Sequence, residues 1–359
     1  MKELKFALFG AGFWAPYQLS GWLELPGVTC AAVCGANLQE AQALAHRFPV
    51  SAQDGQDILA GRRGSGKFPA AYADPEALIR EIKPHFIDIV TNVETHRPLV
   101  ELAARHGIPV ICQKPMAPTL ADAVAMLGTC KRAGVPLFIH ENWRWQTAIR
   151  ALKEHLDRGA IGTPFRARID MISGFPVFIN QPFFKDLEQF LLTDLGTHIL
   201  DVARFLFGEP ETLYCQTQQV HKDIKGEDVA TVMLRMKNGA SVICEMAYAE
   251  NYLEREHFPQ TFIFIEGSAG SLELGPDFWI RETTVEGTLS RRYPPHHYAW
   301  ADPAYDLVHS SIVSCHENIL AALRGEGEAE TTGEDNLRTL QMVFGAYDSE
   351  RLGQVIQVA

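Results

Sequence analysis

The 359-residue chain lacks any apolar run long enough to span a bilayer, which argues against a membrane partner. It lacks a basic excess: the net charge of −12 argues against nucleic acid as the main partner, because that needs a cationic footprint. It lacks paired cysteine spacing as well. The seven cysteines are odd in number and none forms a C-x-x-C pair. Cys30, Cys34, Cys112 and Cys244 sit in apolar, strand-like runs, so buried free thiols in a reducing cytoplasm account for them. There is no internal repeat and no low-complexity segment. What remains, 47% hydrophobic and 21% charged residues, is ordinary for a globular protein, and the length exceeds what one core serves. Two domains are expected, 1–140 and 141–359.

Leu4 to Ala15, LKFALFGAGFWA, carries the first specific signal. Alternating, mostly apolar β-formers run to Phe9, break on Gly10, Ala11 and Gly12, and continue into a helix-compatible stretch from Trp14 to Glu24. A strand, a glycine turn and a helix start make the context of a dinucleotide site. Gly10 permits the turn, and Gly12 lets a pyrophosphate approach the backbone at a helix N-terminus. Ala15 fills the third small position. The turn lies so close to the first residue that no signal or transit peptide is expected.

Strands are expected at 28–34, 86–90, 108–112 and 136–139, separated by helices at 38–48, 74–82, 94–106 and 120–133. Such alternation predicts βαβ units and a doubly wound parallel sheet with ligands at the strand ends. Those ends carry Thr91, Asn92 and His96 after one strand and Gln113, Lys114 and Pro115 after the next. Gly35 stands where an acid would bind the adenosine ribose, and Asn37 either contacts that ribose or caps the next helix. Cofactor choice between NAD and NADP is therefore open here. Ser51–Ala70 reads as a polar surface loop. Its Gly61, Gly66 and Lys67 stand at P-loop spacing, but no strand feeds them and Phe68 replaces the Ser/Thr. Beyond one helix at 148–158, closely spaced strands with a Lys237-Asn238-Gly239 turn predict a mainly antiparallel sheet, closed by helices at 305–323 and 336–350.

Hydride chemistry over the strand ends needs a base, a cation and a group that orients the base. Lys114 follows an apolar strand directly and suits the cation. Thr193 reads as an N-cap that sets Asp194 and His198 at i and i+4, a carboxylate beside an imidazole base. A metal reading of Asp194, His198 and Asp201 lacks a defined ligand pattern, and none is expected.

Together these motifs resemble the Gfo/Idh/MocA family of sugar and polyol dehydrogenases nearly end to end. Gly10-Ala11-Gly12 matches its dinucleotide turn, and Thr91-Asn92-Val93-Glu94-Thr95-His96 its T-P-N-x-x-H segment. Cys112-Gln113-Lys114-Pro115-Met116-Ala117 resembles its E-K-P-x-A segment, whose lysine is catalytic. Asp194-Leu195-Gly196-Thr197-His198 matches its D-x-G-x-H, which supplies the catalytic Asp and His. The resemblance implies an N-terminal Rossmann domain, then an α/β domain with a large open sheet that often mediates dimers or tetramers, and an active site between the domains. It implies NAD or NADP as cofactor, with NAD slightly favoured, and a small-molecule carbohydrate substrate. Gly10, Gly12, Phe13, Trp14, Asn37, Thr91, Asn92, His96, Gln113 and Lys114 become the candidate cofactor contacts. Glu141, Arg144, Trp145 and Arg168 become candidate substrate contacts, with inter-domain salt bridging the other reading of the two arginines. The His140–Gln146 run and Gly12-Phe13-Trp14 resemble dehydrogenases of a branched pentose. Departures are Gln113 for the usual glutamate, Gly35 for the ribose-binding aspartate, and the long Ser51–Ala70 loop. A cofactor recycled in place during other sugar chemistry, and a nucleotide-sensing regulator without turnover, are the competing expectations.

Overall fold

The computed structural model describes residues 3–59, 67–249 and 255–358. They form two compact units. The first comprises 1–141 and 297–337, the second 142–296 and 338–359. The expected boundary after 140 therefore misses a return: 297–337, read as part of the second domain, pack with the first unit.

The first unit opens β1 (Leu4–Phe9), α1 (Ala15–Trp22), β2 (Val28–Cys34), α2 (Leu38–Arg47), α3 (Ala52–Leu59), β3 (Ala70–Tyr72), α4 (Pro75–Ile82) and β4 (Phe86–Ile89). It continues α5 (His96–Arg105), β5 (Val110–Gln113), α6 (Leu120–Ala133) and β6 (Leu137–His140). Six strands pair in parallel in the order β3-β2-β1-β4-β5-β6, the doubly wound dinucleotide topology. Pro75 at the start of α4, with Asp74 Oδ1 accepting from Glu76 N at 2.9 Å, shows why that helix begins where the sequence says.

The loop read at Ser51–Ala70 is corrected at both ends. Ala52–Leu59 is helical because Ser51 Oγ accepts the Asp54 N–H at 3.2 Å while its own hydroxyl bonds the Asp54 carboxylate, a reciprocal N-terminal cap. Ala70 starts the three-residue edge strand β3. Gly61 and Gly66 of the P-loop-like spacing lie outside the described residues.

The second unit holds α7 (Thr147–Asp157), β7 (Pro164–Ser173), α8 (Val177–Asn180), α9 (Thr197–Phe207), β8 (Pro210–Gln218), β9 (Val229–Met236) and β10 (Ser241–Tyr248). β11 (Phe262–Gly267), β12 (Gly270–Gly275), β13 (Trp279–Thr284) and β14 (Gly287–Arg292) follow. After α10 (Asp306–Arg324) of the first unit, α11 (Gly333–Leu352) and β15 (Ile356–Gln357) close the chain. The nine strands run β14-β13-β12-β11-β7-β10-β9-β8-β15, antiparallel except where β7 meets β10. The pleat separates two faces. One cross-strand row, Cys215, Val232, Cys244, Ile169, Ile263, Leu274 and Ile280, is buried. The neighbouring row, Tyr214, Met233, Ile243, Arg168, Phe264, Glu273 and Arg281, faces outward. β13 and β14 were not anticipated, because their exposed, charge-rich sequences lack apolar alternation.

A buried polar cluster crosses the centre of the parallel sheet. Asp88 of β4 is fully buried and accepts from Trp22 Nε1 at 2.8 Å and Gln18 Nε2 at 3.2 Å. His316 of α10 stacks on Trp22 with centroids 3.7 Å apart, and its Nε2 lies 4.0 Å from Asp88 Oδ2. Burial pushes the Asp88 carboxyl up to about 7, against the opposing hydrogen bonds from Trp22 and Gln18. Burial, then the nearby His140 and His309, hold His316 well below the ordinary histidine value. A raised carboxyl binds its proton more tightly in the folded state. Its stabilising contribution is full below the unfolded value near 3.8 and is lost as pH rises through about 7. Asp88→Asn should therefore gain stability relative to the unsubstituted protein as pH rises from about 4 to about 7, by up to about 1.4 kcal/mol per pH unit. Urea titrations at pH 5, 6, 7 and 8 measure it, and a pH-independent difference would refute the assignment.

Candidate functional site

The glycine turn follows from sterics. Gly10 has φ of +125°, and a Cβ there would lie 2.1 Å from the Val90 carbonyl oxygen beyond β4. Only glycine lets the two strand ends approach so closely. A Cβ on Gly12, in contrast, meets nothing within 4 Å. That open space before the N-terminus of α1 is the room a dinucleotide pyrophosphate requires, so the turn fits that group. Phe13, exposed, begins a chain of ring contacts through Trp14 and Tyr17 to Tyr305. Burial first, then the neighbouring Tyr305 and Asp302, push the Tyr17 hydroxyl up to about 12.

At the end of β2, a Cβ on Gly35 would press on Ala11 Cβ at 3.2 Å and Ala41 Cβ at 3.4 Å. The missing ribose acid thus has a packing reason. Asn37, left between two roles by the sequence, caps α2: its Oδ1 accepts from Gln39 N at 2.9 Å.

Beyond β4 and β5 the structure separates residues that the sequence grouped. Thr91 and Thr95 hydroxyls bond at 2.7 Å and Asn92 is exposed, so this turn presents a polar surface. Lys114 is half-buried directly after β5. His96 is a staple between the loops that follow β4 and β5. It is buried, with Nε2 3.1 Å from Thr91 O and Nδ1 3.1 Å from Pro115 O, and so ties the two loops together. Burial lowers its pKa while those carbonyls oppose the change. Gln113 is held likewise. Its side chain turns into the core, donating to Gln18 Oε1 at 2.9 Å and lying 3.3 Å from His140 Nδ1. It extends the Asp88 cluster.

In the second unit, Asp194 and His198 lie across the junction between a π-turn, Leu192–Gly196, and α9. π-turns inside helices are frequent at functional sites. Thr193 is corrected from N-cap: the helical run already includes it, its carbonyl accepts from Thr197 Oγ1 at 2.7 Å, and its hydroxyl meets Tyr347 OH at 3.2 Å. The start of this run is instead satisfied by buried Glu227, which accepts from Phe190 N at 3.2 Å, Leu192 N at 3.0 Å and Tyr347 OH at 2.7 Å. Glu227 lies far away in sequence and carried no signal there. Gly196 packs tightly, because a Cβ would come within 3.3 Å of Leu192 and 3.7 Å of Met246 Sδ. His198 is buried under the face of Trp143.

The candidate substrate contacts divide. Arg144, buried, grips Asp201 of α9 within the second unit, Nε at 2.7 Å and Nη2 at 2.5 Å. That pairing also takes Asp201 out of any metal set. Glu141, at the end of β6 in the first unit, is fully buried. Trp145 is buried with Arg150 over its ring at 4.4 Å, and its Nε1 has no acceptor among the described residues, which leaves a donor for a hydroxyl. Arg168 lies on the outward face of the sheet, opposite the row that packs beneath α9, and pairs with Asp170 at 2.8 Å. Among the described residues no group of three or more His, Cys, Asp or Glu is placed to hold a metal, and no helix is long and apolar enough to cross a membrane.

Comparison with known proteins agrees with this architecture. Residues 4–141 match the oxidoreductase family with an NAD-binding Rossmann fold, and 149–273 match the GFO/IDH/MocA C-terminal domain. The chain is 39% identical over 358 residues to D-apiose dehydrogenase of Paraburkholderia graminis, covering 100% of this chain and 90% of that protein. It is also 39% identical to D-apiose dehydrogenase of Rhizobium rhizogenes, covering 100% and 98%. A crystal structure of an oxidoreductase from Agrobacterium radiobacter, in complex with NAD+, L-tartaric acid and magnesium, is similar with a TM-score of 0.91. It is 38% identical, and 99% of each chain is covered. With its glycine turn, its Lys114 segment and its Asp194–His198 helix on these two domains, the chain belongs to the GFO/IDH/MocA family of NAD-binding oxidoreductases.

Proposed function

We propose that the protein is an NAD-dependent dehydrogenase that oxidises a C–OH group of D-apiose or a closely related pentose. The observation that carries this reading is the full-length 39% identity to two D-apiose dehydrogenases, in a chain whose Lys114, Asp194 and His198 fall in segments resembling the family's motifs. Gly10, Gly12, Phe13, Trp14, Thr91, Asn92 and Lys114 would hold the cofactor, which when bound supplies a hydride acceptor. NAD is favoured over NADP because Gly35 and Asn37 provide no cation for a 2′-phosphate. His198 takes the proton of the substrate hydroxyl, Asp194 orients the imidazole, and Lys114 stabilises the developing alkoxide. Base and cation roles are exchangeable between His198 and Lys114. The donor left on Trp145 Nε1 suits a second sugar hydroxyl.

A homodimer or homotetramer in the cytoplasm completes the reading. Its support is the outward face of the nine-stranded sheet, which exposes Phe165, Met233 and Phe264 among ion pairs.

Absorbance at 340 nm tests the reading. The purified protein is offered NAD or NADP with D-apiose and a panel of other pentoses, hexoses, polyols and sugar acids. Absorbance should grow with NAD and D-apiose. No growth with any sugar, together with NAD(H) released on denaturation, would replace the dehydrogenase by recycled-cofactor chemistry.

A further inference from the structure

Trp143 stands face-on to His198. Their ring centroids are 4.4 Å apart and the planes are 22° from parallel. The indole cannot turn freely. Its Nε1 donates to the hydroxyl of fully buried Thr261 at 2.9 Å. The next residue, Arg144, is locked onto Asp201, three residues beyond His198 on α9, and Thr339 supports Asp201 at 3.0 Å. The 143–145 turn and α9 are thus held with indole and imidazole in one stack.

An aromatic face attracts a cation through its quadrupole, more strongly where water is excluded. A neutral imidazole gains much less from the same geometry. The stack therefore favours the protonated ring, which is the form His198 adopts as it receives a proton from a hydroxyl. We infer that Trp143 is a positioning residue for His198, fixing the plane of the imidazole and stabilising its cation. This rests on the reading of His198 as proton acceptor.

Charged and titratable groups also lie on the elements around the imidazole. Asp194, Asp201 and Arg204 share its helical run, and Arg144 comes from the 143–145 turn. Arg150 of α7 lies over Phe205 of α9 at 4.9 Å. Tyr248 of β10 has its hydroxyl raised by burial and by Asp194. Arg144 is neutralised by Asp201, and Arg204 by Glu209 at 2.8 Å. Replacing the indole leaves all of these in place.

The test is a histidine Cε1–Hε1 NMR titration of the full chain, with His198 assigned by its loss in His198→Gln. The midpoint of His198 should fall by about one pH unit in Trp143→Leu and by clearly less in Trp143→Phe, which keeps an aromatic face. The limb of the kcat–pH profile should shift with it, while KM for the sugar changes less. Should the leucine variant unfold by circular dichroism, Thr261→Val frees the indole edge without removing its bulk, and a smaller fall in midpoint is expected. An unmoved midpoint in the folded variants overturns the inference. A midpoint that moves while kcat does not follow it overturns the base assignment of His198, and with it the catalytic consequence of the stack.

Discussion

His198→Ala is expected to lower kcat by about 10²–10⁴-fold, the range lost when a positioned general base is removed. Lys114→Ala should cost about 10²–10³-fold, as removal of an oxyanion donor does. NAD should still bind both variants. The groups that fit the dinucleotide, the Gly10–Gly12 turn and the exposed Phe13 and Asn92, lie in the first unit, whereas His198 belongs to the second. Lys114 is one half-buried side chain beyond β5, and its removal leaves the glycine turn untouched. Water is a poor substitute for His198, because the imidazole is only 6% exposed beneath Trp143. Initial rates at 340 nm with saturating NAD, alongside calorimetric NAD titration, measure both effects. Turnover within tenfold of the unsubstituted enzyme in either variant would remove that residue from the chemistry. Loss of NAD binding would make cofactor binding, and not the proton or alkoxide chemistry, the main role of that residue.

The sequence made the parallel sheet legible because its strands are apolar runs spaced by amphipathic helices, a periodicity that burial on both faces imposes. It made β3 illegible because three edge residues carry no period. It made α3 illegible because Gly55 and polar neighbours disguise a helix that one reciprocal serine cap starts. The motifs located the turns around the chemistry but not where each side chain points. Gln113 precedes Lys114 by one residue, yet it ends a strand with its side chain in the core. His96 shares a segment with Thr91 and Asn92 but spends both ring nitrogens on carbonyls. Asp88 left a faint signal, one acid inside an otherwise apolar central strand, with Gln18 and Trp22 four residues apart on the helix that answers it. The Arg144–Asp201 pair left none, since a contact between residues 57 apart has no local pattern.

That pair carries the largest stability prediction. Asp201→Ala is expected to destabilise the second unit by about 3–5 kcal/mol, the cost of breaking a buried ion pair by removing one member. Asp201 is fully buried and accepts from Arg144 at 2.7 and 2.5 Å and from Thr339 at 3.0 Å. Arg204, 3.9 Å away, keeps Glu209 and Thr339, so Arg144 is the cation that loses its bidentate acceptor. Urea denaturation measures the loss, and a change below 1 kcal/mol would show that water or a rearranged carboxylate replaces the pair. The double variant Arg144→Met/Asp201→Leu discriminates between two reasons for having the pair. Neutral side chains of similar volume often restore or exceed the stability of a buried ion pair, so most of the lost stability should return. They do not reproduce the planar, two-bond geometry that fixes the 143–145 turn against α9. If stability returns and kcat stays low, with the His198 midpoint displaced as in Trp143→Leu, the ion pair is there to aim the indole at the imidazole. If kcat returns with stability, the pair contributes folding energy alone, and the stack is held by Thr261.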